Sequence, residues 1–388
     1  MHKVFLYSSF LVLGLIISQF TPVWFQEENY VVFNSILYSL LYICLAFVMI
    51  NVGREFELNK DRWKEYTKDY FIAMATAALP WMFVALYYII VLLPPDFWGN
   101  GDAWKESLLL SRFAAPTSAG ILFTMLIVCG LKKSWIYRKI QVLAIFDDLD
   151  TVMLMIPLQI LMVGLYWEMG AILVIVVALL IFGWRKMSYF NWRQEWWDIL
   201  LYASLLFGVT MAMDHFFNIH IEILLPAFVL GMVMRHKESD RPNKRLAATI
   251  ISLLFMLLVG MSMPYFGSFG STEPSEAAVA NISILGSQPM LSWGTIAIHV
   301  IIVSLLSNIG KLVPIFFYHD RLLEERLAVS IGMFIRGEVG AGIIFIAVGY
   351  NIGGPALIIS ILTLVLNLVL TAFFIMIVKR LAFIASSK

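Results

Sequence analysis

Charge is scarce in this sequence. Only 14% of its 388 residues are charged while 61% are apolar, and a water-soluble domain carries about one quarter charged residues. The mean hydropathy of +0.86 agrees, so an ordinary soluble fold is excluded. No sign of charge dominates either: 27 Lys and Arg stand against 26 Asp and Glu. Without a strongly basic face to neutralise phosphates, nucleic acid is excluded as a partner. Cysteine is nearly missing. Cys44 and Cys129 are the two present, each inside an apolar run, which leaves no disulfide framework and no metal site with Cys spacing. Long polar stretches are also lacking. The longest, Tyr265 to Met290, is too short for an appended folded module. Finally, the first apolar stretch, Val4 to Phe20, is followed by Thr21-Pro22-Val23-Trp24 and not by a small-residue cleavage site, so it reads as a retained helix and not as a signal peptide.

What the sequence has instead is a series of apolar runs, each about 20 residues and long enough to cross a bilayer. Twelve spans are expected, near 4–20, 30–51, 70–93, 107–131, 140–164, 167–184, 197–214, 220–235, 246–264, 292–317, 326–349 and 355–378. Each must be helical, because an unpaired backbone cannot face hydrocarbon. The expected fold class is thus an all-α polytopic membrane protein. Lys and Arg gather in alternate loops, such as Arg54 to Lys68, Lys132 to Lys139 and Arg235 to Arg245, and Lys105 is the clear exception between them. By the positive-inside rule both termini are expected in the cytoplasm, and an even number of spans agrees.

Charges inside spans are rare and mark function. The fifth span carries Asp147, Asp148 and Asp150 within four residues of an otherwise apolar segment. Helix geometry places Asp147, Asp150 and Thr151 on one face, with Asp148 turned about 100° from Asp147. Two adjacent carboxylates away from water cannot both stay ionised cheaply. Such a pair can hold either a proton or a hard cation that favours oxygen ligands, which is the simplest recipe for exchange. The plain alternative is that the carboxylates only cap or pair within the bundle. The tenth span supplies a counter-charge in Ser307-Asn308-Ile309-Gly310-Lys311. Lys311 is expected to bridge to Asp147 when no cation is bound, or else to snorkel to the interface.

Two spans carry interruptions. The fourth reads Ala114-Ala115-Pro116-Thr117-Ser118-Ala119-Gly120, and the eleventh reads Arg336-Gly337-Glu338-Val339-Gly340-Ala341-Gly342. Pro116 removes a donor, Thr117 and Ser118 offer hydroxyls, and dense glycine favours a broken helix or close packing. The fourth span enters from outside and the eleventh from inside, so spans three to five and ten to twelve read as inverted repeats with two discontinuous crossing helices. Paired breaks in two halves are the best sequence pointer to a transporter's binding site.

These residues resemble the monovalent cation:proton antiporter superfamily, in particular bacterial sodium/proton antiporters with a two-aspartate motif. Phe146-Asp147-Asp148 is similar to the paired-aspartate motif, Thr117-Ser118-Ala119-Gly120-Ile121 to the Thr-Ser motif of the first unwound helix, and Arg336-Gly337-Glu338-Val339 to the motif of the second. Val52-Gly53-Arg54-Glu55-Phe56-Glu57-Leu58 and the Phe255 to Met261 stretch resemble two further landmarks. The resemblance implies a sodium/proton antiporter fold, with an ion-translocating core over 70–164 and 292–378 and a dimerisation panel and linker over 1–69 and 165–291. It implies Asp148 as principal ion and proton carrier, holding the transported Na+ together with Asp147, Thr117 and Ser118. Lys311 would be the salt-bridge partner of Asp147, and Arg336 with Glu338 a core ion pair near the cytoplasmic side. An aspartate at 147 with a lysine at 311 is similar to the electrogenic branch. The implied activity is exchange of Na+ or Li+ for H+ by alternating access, without a cofactor, in a homodimer held by membrane lipid in a bacterial inner membrane. Asp150, Pro116 and Arg54 depart from the pattern, and Asp150 is read as an extra carboxylate that adds a proton site or tunes the pair. The alternatives are a K+/H+ antiporter or a sodium-coupled solute symporter of the same fold. An enzyme is not expected, since intramembrane aspartyl chemistry needs its two aspartates on separate helices.

Overall fold

The structure, a computed structural model, describes residues 2–24, 27–54, 63–163, 167–186, 189, 192–193, 195–217, 223–234, 242–262, 283–350 and 352–387. Among these are the helices α1 (His2–Trp24), α2 (Glu27–Arg54), α3 (Trp63–Tyr87), α4 (Gly101–Ser111), α5 (Ala119–Val128), α6 (Trp135–Val163) and α7 (Trp167–Lys186). They continue with α8 (Trp196–Phe217), α9 (Leu224–Val233), α10 (Pro242–Met261), α11 (Trp293–Gly310), α12 (Leu323–Gly332), α13 (Glu338–Gly349) and α14 (Gly354–Ser386). Within the described residues, each of the twelve expected spans overlaps one helix or a pair of half-helices. By length and composition alone, six described helical segments are apolar enough to cross a membrane, with shorter apolar helices over Ser9–Thr21 and Leu246–Met261.

The surface fits lipid and not water. Along one face of α8, Leu201, Leu205 and Val209 are 57%, 60% and 62% exposed. They recur every fourth residue and so form a stripe. In water such a stripe would be an unstable apolar patch; in hydrocarbon it is the solvated side.

Two sets of helices pack closely. α1 lies along α10, and α2 along α9. Both crossings depend on facing glycines. A Cβ on Gly14 would sit 2.1 Å from the Leu257 carbonyl and one on Gly260 equally close to the Leu11 carbonyl, and Gly53 and Gly231 pair in the same way. Backbones this near meet only where no side chain intervenes. In the second set α3 packs on α6 and α11, while α14 packs on α11 and α12. This set carries the two crossing breaks expected from sequence, one in the fourth span and one in the eleventh.

The fourth span breaks into α4, a 3-10 turn over Arg112–Ala114, an extended stretch and α5. Pro116 has no N–H to continue the ladder, and Ser118 begins α5 as an extended N-cap whose hydroxyl accepts from the Ile121 amide. The eleventh span breaks between Gly332 and Glu338. The tenth is interrupted as well, contrary to expectation. α11 ends at Gly310, Lys311 is its C-cap, and a 3-10 turn over Val313–Phe316 follows. Pro314 at the start of that turn cannot continue an α-helix. Lys311 therefore sits at a helix end and not within a continuous helix.

Polar clasps close each end of the second set. At the end carrying the basic loops, Asp69 of α3 accepts from Lys139 and from the Tyr318 hydroxyl, both at 2.7 Å. Lys139, expected in a loop, belongs to α6. Burial and the Asp69 carboxylate beside it push the Tyr318 hydroxyl well above its ordinary pKa, so it stays a donor. At the other end Glu106 of α4 accepts from the Ile284 and Leu285 amides at 3.0 and 2.9 Å.

Candidate functional site

The two breaks cross, and each satisfies the other's backbone. The Ser118 amide donates to the Ile335 carbonyl at 2.8 Å, and the Thr117 hydroxyl donates to the Met333 carbonyl at 3.1 Å. Non-helical backbone is tolerated at membrane depth only where partners of this kind exist. The crossing is tight: a Cβ on Gly337 would lie 2.7 Å from the Ile121 side chain and 3.0 Å from the Ser118 hydroxyl. Two half-helices, α5 and α13, start at the crossing and two, α4 and α12, end there, so partial charges of both signs converge.

Asp147 of α6 faces this point and is fully buried. Its Oδ2 accepts from the Thr117 amide at 2.8 Å. The Lys311 Nζ lies 3.1 Å from Oδ1, 2.9 Å from Oδ2 and 3.1 Å from the Thr117 hydroxyl. Lys311 is fully buried too, and so it does not snorkel. Thr151 donates to the Asp147 carbonyl at 2.8 Å one turn along α6. An ion pair with both members away from water is stable only with such geometry, because removing either partner strands a charge at a cost of about 3–5 kcal/mol.

Asp150 is 2% exposed. Its Oδ2 has no hydrogen-bond partner among the described residues. The side chains of Asp148 and Glu338 lie outside the described residues; their backbones lie in α6 and at the start of α13. The expected Arg336–Glu338 pair therefore falls outside them as well. Arg336 itself is fully buried and donates to five neutral oxygens. Nε reaches the Ala114 carbonyl at 3.0 Å, Nη2 the Ser307 carbonyl at 2.9 Å, and Nη1 the Asn308 Oδ1 at 2.7 Å, the Phe334 carbonyl at 3.1 Å and the Asn367 Oδ1 at 3.4 Å. Ser307 lies in the last turn of α11, Ala114 ends the 3-10 turn after α4 and Phe334 follows α12, so the guanidinium caps three helix C-terminal ends.

Thr117, Ser118, Asp147, Lys311 and Arg336 are thus brought together, and Asp150 lies one turn away. Sequence reasoning missed Asn308, Asn367 and Arg112. The two amides are neutral and give a weak signal. Arg112 lies inside the fourth expected span, and the same rule that singles out Lys311 would have found it.

A helical membrane protein whose inverted repeats cross through two broken helices around buried charge has the architecture on which secondary transporters are built. No protein-family model matches the chain, and no curated protein matches its sequence. Among solved structures, the sodium proton antiporter from Methanocaldococcus jannaschii is similar over 98% of this chain and 92% of its own, with a TM-score of 0.57 and 14% sequence identity. The chain has the fold of that antiporter.

Proposed function

We propose that the protein exchanges a monovalent cation, Na+ or Li+, for protons by alternating access. The Asp147–Lys311 pair, buried where the two broken helices cross, carries this reading. An ammonium locked onto a carboxylate in hydrocarbon holds the place of a transported cation. When a cation enters, it takes over the neutralisation of Asp147 and the lysine is released. When the cation leaves, the lysine or a proton returns. Asp147 thus always has a positive partner, which avoids stranding a carboxylate in the membrane.

Asp148, adjacent on α6, is the principal carrier in this scheme, loading a proton on one side and a cation on the other. Thr117 and Ser118 supply oxygens from the first break. A site with both Asp147 and Lys311 makes exchange electrogenic. The core over 70–164 and 292–378 rocks against the panel over 1–69 and 165–291, which also forms a homodimer within the lipid. Both termini lie in the cytoplasm of a bacterial inner membrane, consistent with the basic loops. The amides of Asn308 and Asn367, which a solute symporter would direct into a cavity, are occupied by Arg336.

The test is exchange in proteoliposomes. A sodium pulse should discharge a preformed proton gradient, and Asp148→Asn should abolish that discharge. A wild-type protein that leaves the gradient intact with sodium, lithium and potassium alike would refute antiport. The same cation panel, with the voltage clamped, separates Na+ from K+ exchange and reads electrogenicity.

A further inference from the structure

Phe255 of α10 is fully buried and has no part in the exchange scheme. Its ring rests on the first turn of α5. A Cβ on Gly120 would lie 2.8 Å from the Phe255 Cζ, 2.9 Å from its Cε1 and 3.2 Å from the Leu45 Cδ1 of α2. The ring thus takes the place that a side chain at 120 would fill. The next residue of α5 points elsewhere: the Ile121 side chain lies against Gly337 of the second break. Successive helical positions stand about 100° apart, so one turn of α5 touches the other broken helix on one face and the panel on another.

This contact stands at the depth of the ion site. Gly120 shares its turn with Ser118, the N-cap of α5, and Ser118 follows Thr117, whose amide bonds Asp147. The ring has a firm base, because Gly260 brings α10 into backbone contact with α1. Alternating access needs a barrier between the site and the closed side, and an apolar constriction that excludes water is such a barrier. It also needs the core to move past the panel. A glycine presents no Cβ ridge and allows close approach, so the ring can stay seated while the half-helix travels beneath it.

We propose that Phe255 is the gate between the ion site and the panel: its ring seals the start of α5 and rides over Gly120 as the core moves. This role rests on the antiport reading and adds to it the residue that keeps exchange from becoming a leak.

The experiment uses the full-length protein in proteoliposomes with two readings: decay of a proton gradient before any transported cation is added, and its discharge by sodium. Wild type should hold the gradient until sodium arrives. Phe255→Ala removes the ring and should lose the gradient without sodium, whereas Phe255→Leu keeps most of the apolar bulk and should hold it. Gly120→Ala should hold the gradient but slow the sodium-driven discharge about tenfold, since one extra methyl overpacks the contact. Gly120→Ala combined with Phe255→Leu makes room for that methyl and should recover most of the lost rate; this pair also serves if Phe255→Ala does not fold. A Phe255→Ala protein that is less stable yet holds the gradient would overturn the assignment, because loss of packing alone explains it. So would a Gly120→Ala protein that discharges at the wild-type rate, or one that Phe255→Leu fails to restore. Each of these leaves antiport intact. A wild type that responds to no cation removes the antiport reading and the gate with it.

Discussion

Lys311 and Arg336 are both fully buried cations at the same crossing, and they are held in opposite ways. Lys311 has a carboxylate, Asp147, gripping it through both oxygens. The described hydrogen-bond partners of Arg336 are carbonyl and amide oxygens, three of them at helix C-terminal ends. A single ammonium on an anion can give way to another cation without leaving the anion unpaired. A guanidinium spread over five oxygens cannot, because no transported ion reproduces its planar geometry. The difference separates the replaceable cation from the permanent one, and it does so with two residues that are equally buried.

Removing Arg336 should break this arrangement most severely. Arg336→Gln leaves carbonyls of three helix ends without their donor, at about 1–3 kcal/mol for each. Arg336→Lys should rescue little, since three donors on one nitrogen cannot reach the same oxygens. Thermal unfolding in detergent measures both, and no salt should restore either variant. Lys311→Gln should lose less, and sodium or lithium should recover stability by taking the ammonium's place beside Asp147. If these cations stabilise neither variant or both, the contrast between the two residues fails.

A smaller effect is expected at Thr117, which serves both sides of the crossing. Thr117→Val keeps the amide bond to Asp147 but loses the hydroxyl contacts to Met333 and Lys311. A loss of about 1–2 kcal/mol should appear, together with weaker apparent cation affinity in the transport assay, and Thr117→Ser should retain most of both. The smallest effect lies outside the crossing. Tyr318→Phe removes the hydroxyl from Asp69 while Lys139 remains, for a loss of about 1 kcal/mol. Its pH dependence has a definite sign. The folded Tyr318 is held protonated well above its ordinary pKa by burial and by Asp69. Its contribution is therefore complete below the unfolded tyrosine value of about 10 and declines as pH rises beyond it. Unfolding scans at alkaline pH should show wild type and Tyr318→Phe converging, and parallel curves would remove Tyr318 from the clasp.

The amino-acid sequence by itself determined which segments are helices and marked the two breaks that cross, though not the one after Gly310. Apolar length decides the first, since hydrocarbon admits no unpaired backbone, and Pro116 with the glycines from Gly337 onward marks the second. It also marked Asp147, Asp150, Thr117 and Lys311, because polar groups inside apolar runs stand out. Only the tertiary structure decided which of them meet. Lys311 and Asp147 are 164 residues apart, and nothing in the spacing along a chain shows that a helix end created by Pro314 turns an ammonium toward a carboxylate. The same holds for Arg336, whose hydrogen-bond partners gather from the ends of three helices, and for Arg112, whose guanidinium lies over the Trp81 ring of another helix. Local pattern sets where hydrogen bonds cannot continue; packing alone sets which groups compensate one another across the gap.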